Sequence, residues 1–265
     1  MPLIETFAHG QFSWVELVAE HLPSSIEFYK RIFEWQQHDL NHDCDDTLPH
    51  IQFESDGQPV AGLIQMAPEL AKSGMPSVWN SYVCVNNVDE TLSLAENLGG
   101  KITCPAMNAG EHGRVGFLSS PGGSIIGVWQ KGSHGGASLR NELNSVCWNE
   151  LISRDAAAAR QFYGELFGWT FEPFQGDIDV EYFTIRCSTG EQMGGIMQMS
   201  SEWRETPSHW SVYFRVDAVD SVTAAVQRSG GAVVVPPFDT PVGRIAILAD
   251  NNSAAFSIIR LNEEV

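Results

Sequence analysis

The sequence predicts an α+β protein built from four βαβββ units, two in each of two domains. Three observations lead there. First, WVELVAEHLPSSIEFYKRIFEW at 14–35 aligns without gaps with WNELISRDAAAARQFYGELFGW at 148–169, sharing seven residues. Second, each copy starts with period-two alternation and passes to helical spacing, then to further short strand patterns. Third, KGSHGGAS at 131–138 is rich in Gly and Ser and reads as the connection between the copies. The expected domains are 1–130 and 146–265, joined by a linker at 131–145.

In the first strand, Trp14, Glu16 and Val18 alternate with Val15, Leu17 and Ala19. Pro23 and Ser24 open a helix whose Ile26, Tyr29, Ile32 and Phe33 share one side. In the second copy Asp155 is the expected N-cap and Gly168 suits the helix exit. Strands are expected near 48–54 and 59–66, turned by SDGQP, and near 78–85. A helix near 88–98 carries Val88, Leu92, Ala95 and Leu98 on one face and stops at Gly99-Gly100. Strands near 101–104, 113–119 and 124–129 complete the half. The second half repeats the order, with a helix near 219–229. Further echoes support this: GLIQM (62–66) and GIMQM (195–199), YVCVNNVD (82–89) and YFRVDAVD (213–220), GRVGFL (113–118) and GRIAIL (243–248).

The net charge is −18, which excludes nucleic acid and anionic membranes as expected partners, because phosphates are held by Lys and Arg. Five Cys without paired metal-type spacing fit free thiols in a reducing compartment. The start of the chain has no signal-peptide pattern, and no run of 18 apolar residues occurs. The cytoplasm is the expected location.

On the opening strand, the FYKRIFEW and FYGELFGW helix ends, and the VDAVD and Gly-Gly segments, the sequence resembles the vicinal oxygen chelate superfamily. That group includes glyoxalase I, bleomycin-resistance proteins and extradiol dioxygenases. Within it the chain is similar to two-domain glyoxalase-like bacterial proteins, a mycobacterial antigen among them. The resemblance covers nearly the whole chain. It implies curved, open-barrel mixed sheets, each around a cavity. It also implies metal-ligand positions at the first and last strands of the units, which fall here on Trp14, Trp148, Asn80, Ser211, Gly127 and Ser257, with the corresponding place in the first units near Gln65 and Gln198. Indole, Gly and Ser do not hold divalent cations, so no metal and no other cofactor is expected.

Strand alternation then gives the cavity-side residues. Those of the first domain are Trp14, Glu16, Gln65, Asn80 and Tyr82. Those of the second are Trp148, Glu150, Gln198, His209, Tyr213 and, by extension, Arg215. Glu16 and Glu150 read either as hydrogen-bonded structural carboxylates or as bases with raised pKa. The two tryptophans are space-filling plugs or walls of an aromatic pocket. His209 has no counterpart in the first half, where Val78 stands, and so directs the catalytic expectation to Glu150 with His209, and Glu16 after them. His42 and Asp43 lie in an acidic run read as a solvated loop. Arg114 and Arg244 are expected to pair with acidic groups at strand ends.

The functional expectation is a protein that binds a small organic molecule and acts as a metal-independent lyase or isomerase on a carbonyl compound. The alternatives are a non-catalytic sequestering protein and a glyoxalase I-like lyase with a displaced metal site. A monomer or a homodimer is expected.

Overall fold

The first strand decides the layout, since its alternate residues are apolar on one side and mixed aromatic and acidic on the other. In the computed structural model, which describes residues 3–4, 6–40, 49–203 and 205–262, this strand is β1 (Phe12–Ala19). Val15, Leu17 and Ala19 enter the main core, while Trp14 belongs to a separate small cluster on the opposite face. His42, Asp43 and Cys44 lie outside the described residues.

The first half continues with α1 (Leu22–Phe33), β2 (Gln36–Asp39), β3 (His50–Ser55), β4 (Gln58–Gln65), α2 (Pro68–Lys72), β5 (Val78–Cys84), α3 (Val88–Asn97), β6 (Lys101–Ala109), β7 (Gly113–Ser119) and β8 (Ile125–Lys131). The second repeats it. It contains β9 (Val146–Ser153), α4 (Ala156–Phe167), β10 (Thr170–Pro173), β11 (Tyr182–Arg186), β12 (Gln192–Gln198), a 3-10 turn at Ser201–Trp203, β13 (His209–Arg215), α5 (Val219–Arg228), β14 (Ala232–Thr240), β15 (Gly243–Ala249) and β16 (Ala255–Leu261). The four units are α+β, as the sequence predicts. Each half forms one eight-stranded sheet, ordered β2-β3-β4-β1-β5-β8-β7-β6 and β10-β11-β12-β9-β13-β16-β15-β14. The sheets are mixed and open. The β1–β4 and β5–β8 pairs are parallel, most others antiparallel, and the outer strands do not close into a barrel.

Local chemistry sets the ends of the elements. Asp155 caps α4 by accepting the Ala158 N–H at 2.9 Å, and Gly168 takes the left-handed exit at φ 71°. The strands β2 and β10 are absent from the sequence reading. Each is four residues long at a sheet edge, and β2 is exposed throughout, so no buried side imposes an alternation.

The sheets pack back to back. One core cluster joins β1, β3, β4 and α1 to β13, β15, β16 and α5, and a second joins β5, β7, β8 and α3 to β9, α4, β11 and β12. The repeated Trp at the helix exits anchors this contact. Trp35 Nε1 donates to the Asn144 carbonyl at 2.7 Å, and Trp169 Nε1 to the Gly10 carbonyl at 2.6 Å. Ser81 Oγ donates to Asn149 Oδ1 at 2.8 Å across the same interface, so the Asn of WNEL is a buried link between halves. The faces bearing Trp14 and Trp148 therefore point away from each other, outside the shared core.

Candidate functional site

Pairing register places the outward face residue by residue. Glu16 lies opposite Asn80, and Trp14 opposite Tyr82, across β1 and β5. Glu150 lies opposite Ser211, and Trp148 opposite Tyr213. Beyond β4 and β12 the corresponding positions on the next strand are His50 and Tyr182, paired with Ile64 and Met197. The two halves thus share Trp, Glu and Tyr but differ in the partners of the Glu: Asn80 and an imidazole in the first, Ser211 and a phenol in the second.

That difference sets the state of the carboxylates. Glu16 Oε1 lies 2.8 Å from His50 Nε2, and Oε2 accepts from the Tyr82 hydroxyl at 2.7 Å. Burial pushes the Glu16 pKa up, but the His50 and Tyr82 hydrogen bonds and the His50 charge outweigh it and hold the group below its usual value. For His50 burial pulls down, and the hydrogen bond and charge of Glu16 prevail and raise it. Each group thus favours the charged form of the other. Glu150 accepts from Tyr213 at 2.7 Å and is also hydrogen bonded to Tyr182. Here burial wins over both phenols, and its pKa is raised.

A glycine makes room at the same register in each half. A Cβ at Gly62 would meet Glu16 Oε1 and Trp14 Nε1, both at 2.9 Å, and one at Gly195 would collide with the Tyr182 hydroxyl. Tyr182 in turn accepts from Trp148 Nε1 at 2.9 Å, which closes a Trp148–Tyr182–Glu150–Tyr213 chain.

The segment after β8 roofs the first site. His112 and Glu111 carbonyls accept from Gly132 and Ser133 at 2.9 Å each, and Ala137 N–H donates to Ser13 O at 2.8 Å. Between these anchors the His134 ring meets Trp14 edge-on at 4.7 Å and Trp129 at 5.8 Å, while Trp129 Nε1 donates to the His134 carbonyl. Burial, with the charges of His112 and His50, pushes the His134 pKa down to about 4. Phe117 stands edge-on to Tyr82 at 5.3 Å.

Of the residues expected from sequence, Trp14, Glu16, Asn80 and Tyr82 meet on one face, and Trp148, Glu150 and Tyr213 on the other. Gln65 and Gln198 do not join them. Gln65 Nε2 donates to the Ala19 and Glu20 carbonyls, and Gln198 accepts the Ala156 N–H and donates to Arg154 O. Both sit at strand ends, where the helix-bearing loops need polar partners. His209 is not brought to Glu150. It pairs in register with Ile152, one alternation further along, and its Nδ1 lies 2.8 Å from the Pro207 carbonyl oxygen. Arg215 Nη1 donates to the Asn141 carbonyl. Sequence reasoning missed His50 and His134. Alternation counted back from buried Ile51 and Phe53 was the available signal for His50.

Arg114 and Arg244 hold Asp89 and Asp220 through paired contacts of 2.7–3.0 Å on the helix side. The GR and VD repeats are therefore two ends of one bridge. Cys84, Cys104, Cys147 and Cys187 are free thiols.

The chain belongs to the Glyoxalase/Bleomycin resistance protein/Dioxygenase superfamily, whose family profile matches residues 11–128 and 142–256. It is 32% identical over 98% of both chains to the "Putative glyoxylase CFP32" of Mycobacterium tuberculosis (strain CDC 1551 / Oshkosh). It is 28% identical to the anthracycline biosynthesis protein DauV of Streptomyces sp. (strain C5), over 97% of this chain and 95% of that one. In fold it is similar to the 2,3-dioxygenase LapB from Pseudomonas sp. KL28, with TM-score 0.63, 13% identity and coverage of 94% and 91%. It is likewise similar to a Mn(II)-bound glyoxalase from Novosphingobium aromaticivorans, with TM-score 0.62, 13% identity and coverage of 95% and 82%.

A divalent metal does not fit the residues at this chain's own ligand positions. Trp14 and Trp148 offer indole, Gly127 no side chain, Asn80 a neutral amide, Ser211 and Ser257 hydroxyls 3.3 Å apart, and Gln65 and Gln198 amides already bonded to backbone groups. Among the described residues no three His, Cys, Asp or Glu side chains are grouped to hold an ion. Also among the described residues, no helix is long and apolar enough to cross a membrane.

Proposed function

We propose that the protein binds a small organic molecule on the outward face of its first half and moves a proton on it, as a metal-independent lyase or isomerase of carbonyl compounds. The single observation carrying this reading is the 2.8 Å Glu16–His50 contact in an aromatic setting. A buried carboxylate orients an imidazole and raises its basicity toward neutral pH, which suits general acid–base work. His50, whose side chain is 34% exposed, is the proton-transfer group, and buried Glu16 positions it. Enolisation needs no redox partner. The α C–H bond breaks, its electron pair moves to the carbonyl oxygen as an enolate, and the proton passes to the imidazole and returns to carbon or oxygen. Asn80, opposite Glu16 in register, supplies an amide for a developing oxyanion in this reading.

This places chemistry in the first half rather than on Glu150 with His209. The second half, whose Glu150 is tied to two tyrosines with a raised pKa, fits non-catalytic binding. Charge and free thiols support a cytoplasmic protein acting on small molecules, and a monomer or homodimer is part of the same proposal.

The test is α-proton exchange of small ketones and aldehydes in D2O, followed by NMR. His50→Gln and Glu16→Gln each lower the exchange rate by about 100-fold, and Glu150→Gln leaves it unchanged. Exchange by His50→Gln at the parent rate would overturn the assignment.

A further inference from the structure

Where β1 and β9 meet in the shared interior, the packing turns polar on one side only. Ser13 of β1 and Asn149 of β9 are both 0% exposed, and Ser81 of β5 is buried beside them. The repeat, extended by one residue, puts Cys147 at the place of Ser13 and Val15 at the place of Asn149. Strand pairing puts Val212 at the place of Ser81. The same registers of the other copy are thus closed by two valines and a thiol, so the packing of the halves does not itself require polar atoms there.

These atoms are not all satisfied by one another. Ser81 Oγ donates to Asn149 Oδ1 at 2.8 Å, which fixes the amide and turns its Nδ2 away from Ser81. Among the described residues neither Asn149 Nδ2 nor Ser13 Oγ has a hydrogen-bond partner. Both residues line a buried cavity of about 10 Å³, together with Arg140 of the connecting segment. Arg140 donates one N–H to the Phe12 carbonyl at 2.7 Å, and a guanidinium has further N–H groups to give. The remaining wall is apolar, with Trp14, Val15 and Val60 in it. A buried amide or hydroxyl left without a partner costs more than a typical hydrogen bond contributes, so two such atoms facing one cavity call for a shared partner.

We infer that a single water molecule is an integral part of the protein, held between Ser13, Asn149 and Arg140. A cavity of this volume takes one water, and a buried water needs about three polar partners. The Asn149 amide and an Arg140 N–H donate to its oxygen, and it donates to Ser13 Oγ. The three groups could also surround a small anion, but the volume decides for water, since chloride is larger. The water joins the first strand, the connecting segment and the second half at one point. Trp14 borders it on one side and the outward face of the first half on the other.

Crystals of the full chain grown in sodium bromide test the occupant. The expected result is one density peak within hydrogen-bond reach of Ser13 Oγ and Asn149 Nδ2, without anomalous signal at the bromine edge. An anomalous peak would assign an anion and overturn the inference, and so would a cavity free of density. In solution, the Asn149 side-chain amide protons should give a cross-peak to a long-lived water in NOE spectra. Ser13→Ala keeps that cross-peak, which excludes relay through the Ser13 hydroxyl. Ser13→Val loses it, because the added methyl groups fill the cavity. A cross-peak that survives in folded Ser13→Val, or one missing from the parent, overturns the inference. Should Ser13→Val not fold, the crystal density decides alone.

Discussion

At the scale of single residues, the histidines over Glu16 respond to pH in opposite senses. The folded His50 has a raised pKa, so its contribution to stability is full below its unfolded value near 6.5 and is lost as pH rises through the folded one. The folded His134 titrates at about 4, so protonation of the unfolded chain destabilises the protein as pH falls from 6.5 toward 4. Denaturant titrations should show His134→Asn losing less stability than the parent between pH 7 and 5, by on the order of 1–2 kcal/mol after allowance for its partial exposure. His50→Gln should flatten the decline above pH 6.5. An unchanged pH profile in His134→Asn would mean that its ring is not desolvated against Trp14. Glu16 was legible in the sequence because it recurs in both copies. His50 was not, because the repeat puts Tyr182 at its register and the intervening loops differ. His134 lies in the Gly-rich segment read only as a connection, where composition says nothing of a side chain turned inward.

At the scale of elements, the helix ends carry more than a stop signal. FEW and FGW place Trp35 and Trp169 where the first indole N–H reaches the Asn144 carbonyl at the end of the connecting segment and the second reaches the Gly10 carbonyl of the first half. Replacing either by Phe leaves that carbonyl without its donor and thins a packed aromatic cluster, a loss of about 1–3 kcal/mol in chemical denaturation. The double variant should lose about the sum, since the two anchors lie in different core clusters. A markedly smaller loss would mean that packing alone holds the halves. The Arg114–Asp89 and Arg244–Asp220 bridges recur as faithfully but lie in solvent, so they fix helix orientation with little effect on stability. Strong periodicities such as α1 and β1 were readable because one face is fully buried. The edge strands β2 and β10 were not, and Gln65 and Gln198 were misplaced because a strand-end Gln serving backbone carbonyls looks the same in sequence as one facing a cavity.

At the scale of the whole molecule, each core cluster draws on both halves. The repeat made the two sheets legible, but not that their helix-bearing sides would share one interior, since each copy alone has enough apolar residues for a core. Expressed alone, 1–130 and 146–265 each expose that interior. They should aggregate or pair, and mixing them should restore a folded complex in size-exclusion chromatography and circular dichroism. A stable, monomeric isolated half would contradict the shared core. The back-to-back packing also governs traffic between the two Trp–Glu faces. Their mouths open to opposite sides, so no one ligand spans both, and a product of one face reaches the other only by release into solvent and recapture. Any influence of one occupied face on the other must travel as mechanical stress through the packed aromatic interior.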